Sequence, residues 1–184
     1  MKAIFNFIIL LIFTKTAIAQ HADPREITKT DLINFNKIID KEIPSLKKKL
    51  ANDGYSEESI IFSLDTFRIH QIATLSMDIN YTTIGMNDNI NNLTIAYDKL
   101  MNKYYKKLLA TLKGNDKNDL IKAQTSWLTF RNLEISLIYT LSKTEYSGGG
   151  TIQSNIAMGA TSELTVKRTE DIFNYYISTK DYNY

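Results

Sequence analysis

The chain has 184 residues, 43% of them hydrophobic, and no cysteine. The length suits one domain with a sizeable core, and the lack of cysteine excludes disulfides, thiol catalysis and cysteine-ligated metals. With 22 basic and 20 acidic residues, the formal net charge of +2 gives no support for nucleic-acid binding.

Residues 1–19 have the features of a secretory signal peptide. A lysine near the start precedes an apolar run at residues 4–13, and a small-residue motif ends at Ala19, which predicts cleavage between Ala19 and Gln20. The run is shorter than the roughly 20 residues of a membrane span, and an uncleaved anchor is the alternative. We expect a periplasmic or secreted protein, with residues 20–184 as a single domain that has no stable membrane anchor after cleavage.

Apolar residues three or four positions apart predict two helices in the first half of the chain. The first occupies residues 32–50, where Pro44 predicts a kink or a fresh start. Residues 52–54 read Asn-Asp-Gly and predict a turn. Ser56 then has the character of an N-cap for a second helix, whose apolar face continues to Ile79.

The third helix has the clearest bundle pattern. Residues 81–84 are β-branched or aromatic, and we interpret them as a connection because a lone strand has no partner. Asp88 or Asn89 is the expected cap of the helix, and Gly114 its expected end. Its apolar face repeats at three and four residues through Ile90, Leu93, Tyr97, Leu100 and Tyr104.

Two more helices are predicted in the second half of the chain. The fourth runs from Asp116 to about Lys143, and the fifth from about Asn155 to Ile177, with a loop at residues 146–151 between them. The resulting fold class is all-α, an antiparallel helical bundle of about four to five helices without disulfides.

One face of the fourth helix mixes polar, aromatic and charged residues. Gln124, Trp127, Arg131 and Glu134 are spaced by three, four and three residues and therefore share this face. In one interpretation Trp127 packs at the edge of the core and Arg131 pairs with a carboxylate such as Glu134. In the other, Trp127 and Arg131 anchor a partner, since these residue types dominate binding hot spots.

The fifth helix carries a second arginine on the face expected to meet the bundle. Arg168 lies in a row of residues spaced by four, and Thr165 precedes it by one turn. A buried arginine needs hydrogen-bond acceptors, so the pattern predicts a small ionic cluster between the fourth and fifth helices. The carbonyls and hydroxyls of the glycine loop are the candidate acceptors.

That loop contains Gly148, Gly149, Gly150 and Thr151. It lacks the Lys-Ser/Thr that follows the glycines of a phosphate-binding loop. One interpretation is a helix C-cap followed by a wide turn with positive φ angles. The other is a flexible protrusion that inserts into a groove of a partner, because three glycines exceed what a cap requires.

No catalytic motif is recognisable in the sequence. HExxH, GxSxG and EF-hand patterns are absent, His21 lies at the predicted mature N-terminus, and His70 lies within a helix beside Arg68. We therefore expect a protein that is not an enzyme and that has no cofactor and no metal site. An enzyme of unrecognised type is one alternative, and a pocket with convergent carboxylates and His70 would support it.

About residues 90–177 contain a series of motifs in a fixed order: Ala96-Tyr97-Asp98-Lys99-Leu100, Tyr104, Leu120, Ala123-Gln124, Trp127, Phe130-Arg131, Gly148-Gly149-Gly150-Thr151 and Leu164-Thr165-x-x-Arg168. Together these motifs resemble the LprI-type lysozyme inhibitor domain of bacteria, and the first half of the chain resembles an extension found in some relatives. The resemblance implies a small exported helical domain. It also implies that a helix-to-helix cysteine bridge common in relatives is replaced by packing near Ile135 and Ala160.

Besides the enzyme alternative, these observations lead to one functional hypothesis and a second, non-catalytic alternative. The hypothesis is an exported binding protein that blocks a lysozyme or another peptidoglycan hydrolase. The loop at residues 148–151, supported by Trp127, Arg131 and Arg168, would occlude the cleft of the enzyme, which works through two carboxylates. The alternative is a non-catalytic envelope scaffold or immunity-like protein without lysozyme activity. The sequence gives no oligomeric state.

Overall fold

A computed structural model describes residues 23–181; the predicted signal peptide and His21 lie outside these residues. Five long helices and one single-turn helix account for most of the described chain, which contains no strand, and the all-α prediction is confirmed. None of the helices within residues 23–181 combines the length and apolar character of a membrane span. The helices are α1 (Lys29–Asn52), α2 (Glu57–Ile79), α3 (Thr83–Thr111), α4 (Asp116–Leu141), α5 (Thr144–Ser147) and α6 (Ile152–Asp181).

Helix α1 begins at a capping box and continues without interruption to the turn at residues 52–54. The Thr28 side chain accepts from the Asp31 N–H while the Asp31 carboxylate accepts from the Thr28 N–H, which satisfies two donors of the first turn. The fresh start predicted at Pro44 is wrong. Pro44 faces solvent, where water can hydrate the carbonyl that a proline leaves unpaired.

Helix α3 begins earlier than its sequence pattern predicted. Ser56 is the N-cap of α2 as expected, but the cap of α3 is Thr82, whose hydroxyl accepts from the Gly85 N–H at 3.0 Å. A Cβ at position 85 would lie 2.1 Å from the side chain of Asn80, so a larger residue there would require this side chain to move. Asn89, one of the two predicted caps, is buried inside the helix and donates to the Ala73 carbonyl at 2.7 Å.

Helices α3 and α6 run parallel and form the central pair of the bundle. In the first half of their seam the contacts are polar: Thr94 donates to Ser162 at 2.8 Å, and Thr169 donates to the carbonyl of Tyr97 at 3.2 Å. Small side chains allow this close approach, and both of these hydroxyls have a partner, as buried polar groups require. Successive helices α1 to α4 are antiparallel, and α4 is in turn antiparallel to α6.

The second half of the α3–α6 seam is the apolar core. Phe62 of α2 stacks on Phe173 with ring centroids 3.9 Å apart and meets Tyr104 edge to face at 5.4 Å. Burying each large apolar side chain stabilises the fold by about 1.5–3 kcal/mol. The core consists of Leu100, Met101, Tyr104, Leu108, Leu120, Ile172, Phe173 and Tyr176.

Candidate functional site

Helix α4 joins the bundle through few of its residues. Only Leu120 and Gln124 are buried along its 26 residues, and both lie in its first half. The Gln124 amide sits between two helices: its Nε2 donates to Met101 Sδ of α3 at 3.7 Å, and its Oε1 accepts from Arg168 Nε of α6 at 3.0 Å. Gln124 therefore fixes the register of α4 against its neighbours.

Two guanidinium groups lie close to the indole ring of Trp127. The Arg131 Cζ is 5.1 Å from the indole centroid and the Arg168 Cζ is 5.7 Å from it, both within the range of cation–π attraction. Trp127 itself is half-buried and packs against the core cluster. The structure thus brings Gln124, Trp127, Arg131 and Arg168 together, and we call these four residues the arginine cluster.

The acceptors of the two arginines are not those suggested by the sequence. The carboxylate nearest Arg131 is Asp98 of α3 at 3.8 Å, rather than Glu134 one turn further along α4. Within residues 23–181, Arg131 makes no hydrogen bond and its buried Nε has no partner, while no carboxylate lies within 4.0 Å of Arg168. Arg131 therefore has one distant carboxylate and Arg168 has none within 4.0 Å, so most of their N–H donors lack an acceptor among the described residues.

Thr165 is buried between α3 and α6. Only 2% of the residue is exposed, and its carbonyl accepts from the Thr169 hydroxyl at 2.7 Å inside the α3–α6 seam. It shares α6 with Arg168, but it does not reach the surface of the arginine cluster. Its burial favours a structural role for Thr165 over a contact with a partner.

The glycine loop is an internally bonded turn. Gly148, Gly149 and Gly150 have φ angles of 78°, 80° and 95°, and the Gly149 N–H donates to Ser147 Oγ at 3.2 Å. Gly148 is the left-handed C-cap of α5, and the exposed Thr151 precedes α6. These features favour the interpretation of a cap followed by a wide turn.

The loop does not supply acceptors to the arginines. At a rise of 1.5 Å per residue, Arg131 lies about 15 Å before the end of α4 at Leu141, and Arg168 lies about 24 Å after the start of α6 at Ile152. The predicted bond between loop and arginines is therefore wrong. The loop and the arginine cluster lie at different positions along the axes of the α4–α6 pair.

An open apolar groove of about 210 Å³ separates the end of α4 from the start of α6. Ala160 is exposed and lines this groove, while Ile135 is half-buried. The packing expected near these two residues is therefore incomplete. The groove is lined by Ile138, Leu141, Ser142, Gln153, Ile156, Ala157 and Ala160.

His70 has a structural partner. Its Nε2 lies 2.7 Å from the Tyr97 hydroxyl, which joins α2 to α3. Burial lowers the pKa of His70, and burial together with the charges of Glu170 and Glu163 raises the pKa of Tyr97, so both groups are neutral at pH 7. Within residues 23–181, no group of three or more His, Cys, Asp or Glu side chains is arranged to hold a metal ion.

The bundle therefore gathers an indole and two arginines on one helix pair. A family described as "Lysozyme inhibitor LprI" matches residues 76–172, more than half of the chain, and the protein belongs to this family. The match confirms the resemblance seen in the motifs and begins earlier than the expected core at residues 90–177, so that it includes all of α3. Neither the curated proteins nor the solved structures contain a significant match. The family description agrees with a binding protein rather than an enzyme.

Proposed function

We propose that this protein binds a peptidoglycan-cleaving glycosidase of the lysozyme type and blocks its cleft through the arginine cluster. The observation that carries the proposal is the shortage of acceptors around Arg131 and Arg168. Arg131 has no hydrogen bond in the described structure, and the one hydrogen bond of Arg168 goes to a neutral amide. A carboxylate from a partner would supply the missing acceptors.

The chemistry of the target fits this arrangement. Glycosidases of this class use two carboxyl groups in an open cleft. A guanidinium group binds a carboxylate through two parallel hydrogen bonds, and the flat face of Trp127 would exclude water from such a contact. The Arg131 side chain is 24% exposed, so it reaches the surface while its stem stays packed.

The glycine loop is a second candidate contact within the same proposal. It lies at the far end of the α4–α6 pair, and a protein interface of ordinary size, about 800 Å² on each side, can cover both. In this arrangement the loop would touch the rim of the cleft rather than support the arginines. The target and the protein must also meet in one compartment, which the predicted signal peptide would provide.

The test is a peptidoglycan-clearing assay with protein purified from cells that express the full-length chain. A panel of lysozymes and related hydrolases would be titrated with the wild type, with Arg168→Met and with Lys167→Met. Lys167 is the matched control, since it is exposed on the same helix and its substitution removes the same charge. We expect dose-dependent inhibition that Arg168→Met weakens at least about tenfold and Lys167→Met leaves unchanged.

The remaining outcomes separate the alternatives. Deletion of residues 148–150 with full inhibition would confine the site to the arginine cluster. Loss of inhibition in that deletion, with Arg168→Met still active, would move the site to the loop. No inhibition across the panel would refute the proposal and favour an envelope scaffold or immunity-like protein.

A further inference from the structure

An apolar surface remains uncovered on α4 and at the start of α6. On α4 its residues are spaced by three, four and four, which places them on one side of the helix. Leu141 and Ile156 line the same groove, so the surface continues from α4 onto α6. The exposed fractions lie between 49% and 69%. This surface, the apolar stripe, consists of Phe130, Leu133, Leu137, Leu141, Ile152 and Ile156.

The stripe is large for a monomer. Half-exposed side chains of this size each present roughly 100 Å², so the six together present about 600 Å². Contiguous apolar patches on soluble monomers reach about 300–600 Å², and the larger ones mark interaction sites. The exposed apolar area of the stripe therefore lies at the upper end of the range for soluble monomers.

The stripe lacks the charges that an acidic partner would require. Between Lys122 and Lys143, the only charged residues of α4 are Arg131 and Glu134, and both are half-buried. A symmetric contact places a surface against itself, so a charged surface would repel its copy and a neutral apolar surface would not. This composition favours a second copy of the chain over the carboxylate-lined cleft that suits the arginine cluster.

We propose that the apolar stripe is the interface of a twofold symmetric homodimer in which α4 of one copy packs antiparallel to α4 of the other. Leu133, the most exposed residue of the stripe, lies near the twofold axis. Two copies bury about 1,200 Å² of stripe surface, which reaches the lower limit of stable specific interfaces before any polar rim is counted. The open groove beside Ile138 and Ile156 accommodates aliphatic side chains of the second copy.

Sedimentation equilibrium tests the proposal on protein purified from cells that express the full-length chain. We expect the mass of a dimer at concentrations up to about 100 µM, and Leu133→Glu to weaken the dimer at least about tenfold because it places two like charges at the axis. The matched control is Ile33→Glu on α1, an aliphatic residue that is 56% exposed, which should leave the dimer unchanged. Circular dichroism establishes that each variant is folded.

The absence of cysteine allows a second, independent measurement. Leu133→Cys introduces the only thiol, and a short bismaleimide should join two copies efficiently at this site and poorly in Ile33→Cys. A wild-type monomer up to about 100 µM, or equal cross-linking at both sites, overturns the proposal. So does a dimer that Leu133→Glu does not weaken. If the wild type is monomeric and Leu133→Glu abolishes hydrolase inhibition, the stripe belongs to the hydrolase contact instead.

Discussion

Replacing Arg168 with methionine tests the stability of the arginine cluster directly. The substitution keeps an unbranched side chain of similar length but removes the guanidinium group. It therefore deletes the hydrogen bond from Arg168 Nε to Gln124 Oε1 and the stacking on Trp127. It also leaves the Gln124 oxygen, in a buried residue, without its partner.

The expected loss of stability is about 2 kcal/mol. A hydrogen bond that involves a charged group contributes about 1.5–3 kcal/mol, and the loss includes the unpaired Gln124 oxygen. The cation–π contact with Trp127 adds about 0.5–1 kcal/mol at a half-exposed site. The packing of the methionine side chain offsets part of the lost stability, which brings the net loss to about 2 kcal/mol.

A second substitution, Gln124→Leu, turns this estimate into a double-mutant cycle. Removing both partners of a buried hydrogen bond leaves no orphaned polar group, so the pair Arg168→Met with Gln124→Leu should be less destabilised than the sum of the single variants. We expect a coupling of about 1 kcal/mol. The contact of Gln124 with Met101 is lost in both the Gln124→Leu single variant and the double variant, so it cancels in the cycle.

Urea unfolding followed by circular dichroism measures these values, with the free energy of unfolding obtained by linear extrapolation. Lys167→Met is the control and should change stability by less than about 0.5 kcal/mol. A change of the same small size in Arg168→Met would refute the cluster as a structural element. Strict additivity of the two substitutions would refute the Arg168–Gln124 bond.

Three further predictions concern the core and its polar groups. Tyr104→Phe removes a buried hydroxyl that has no hydrogen-bond partner, so stability should stay equal or rise by up to about 1 kcal/mol in urea unfolding; a clear loss would mean that the hydroxyl is paired. Thr169→Val keeps the shape of the side chain but loses its hydrogen bonds to backbone carbonyls, and the melting temperature should fall with a loss of about 1 kcal/mol; an unchanged melting temperature would contradict the polar seam. Burial alone would raise the pKa of Glu58, but hydrogen bonds from Lys107 and Tyr176 and the nearby positive charge hold it below its ordinary value. The ionised carboxylate therefore stabilises the fold above its unfolded pKa of about 4.3, and this stability is lost as the pH falls through the lowered native pKa. We expect the melting temperature of Glu58→Gln to decline less below about pH 4 than the melting temperature of the wild type. Parallel curves of melting temperature against pH would exclude a stabilising interaction of the Glu58 carboxylate with Lys107 and Tyr176.

Local chemistry predicted the start of α2 and the start of α4. Ser56 was identified as a cap because its hydroxyl lies next to the donors that need it, and this relation is visible over three residues of sequence. The predicted start of α3 is wrong because the local sequence offers three possible caps, Thr82, Asp88 and Asn89, and does not distinguish between them. What excludes Asn89 is its contact with Ala73 of another helix, which no local pattern contains.

The residues of the arginine cluster were predictable, whereas their partners were not. Helical spacing placed Gln124, Trp127 and Arg131 on one face. It could not give the register of α4 against α3, and this register brings Asp98 rather than Glu134 to Arg131. Apolar periodicity also assigns residues such as Leu133 to a helix without indicating whether another helix covers them. The apolar stripe could therefore be recognised only in the fold.

The arginine cluster and the apolar stripe can act at the same time because of their angular positions on α4. Successive residues of a helix are separated by about 100°, so Leu133 points roughly 200° away from Arg131, on the opposite side of the helix. Arg131 faces Asp98 of α3 and lies beside Trp127 of its own helix, whereas Leu133 faces solvent. A dimer formed through the stripe leaves both arginine clusters accessible, so each copy could still bind one hydrolase. A Leu133→Glu monomer with full inhibition and an Arg168→Met dimer without inhibition would separate the two surfaces experimentally.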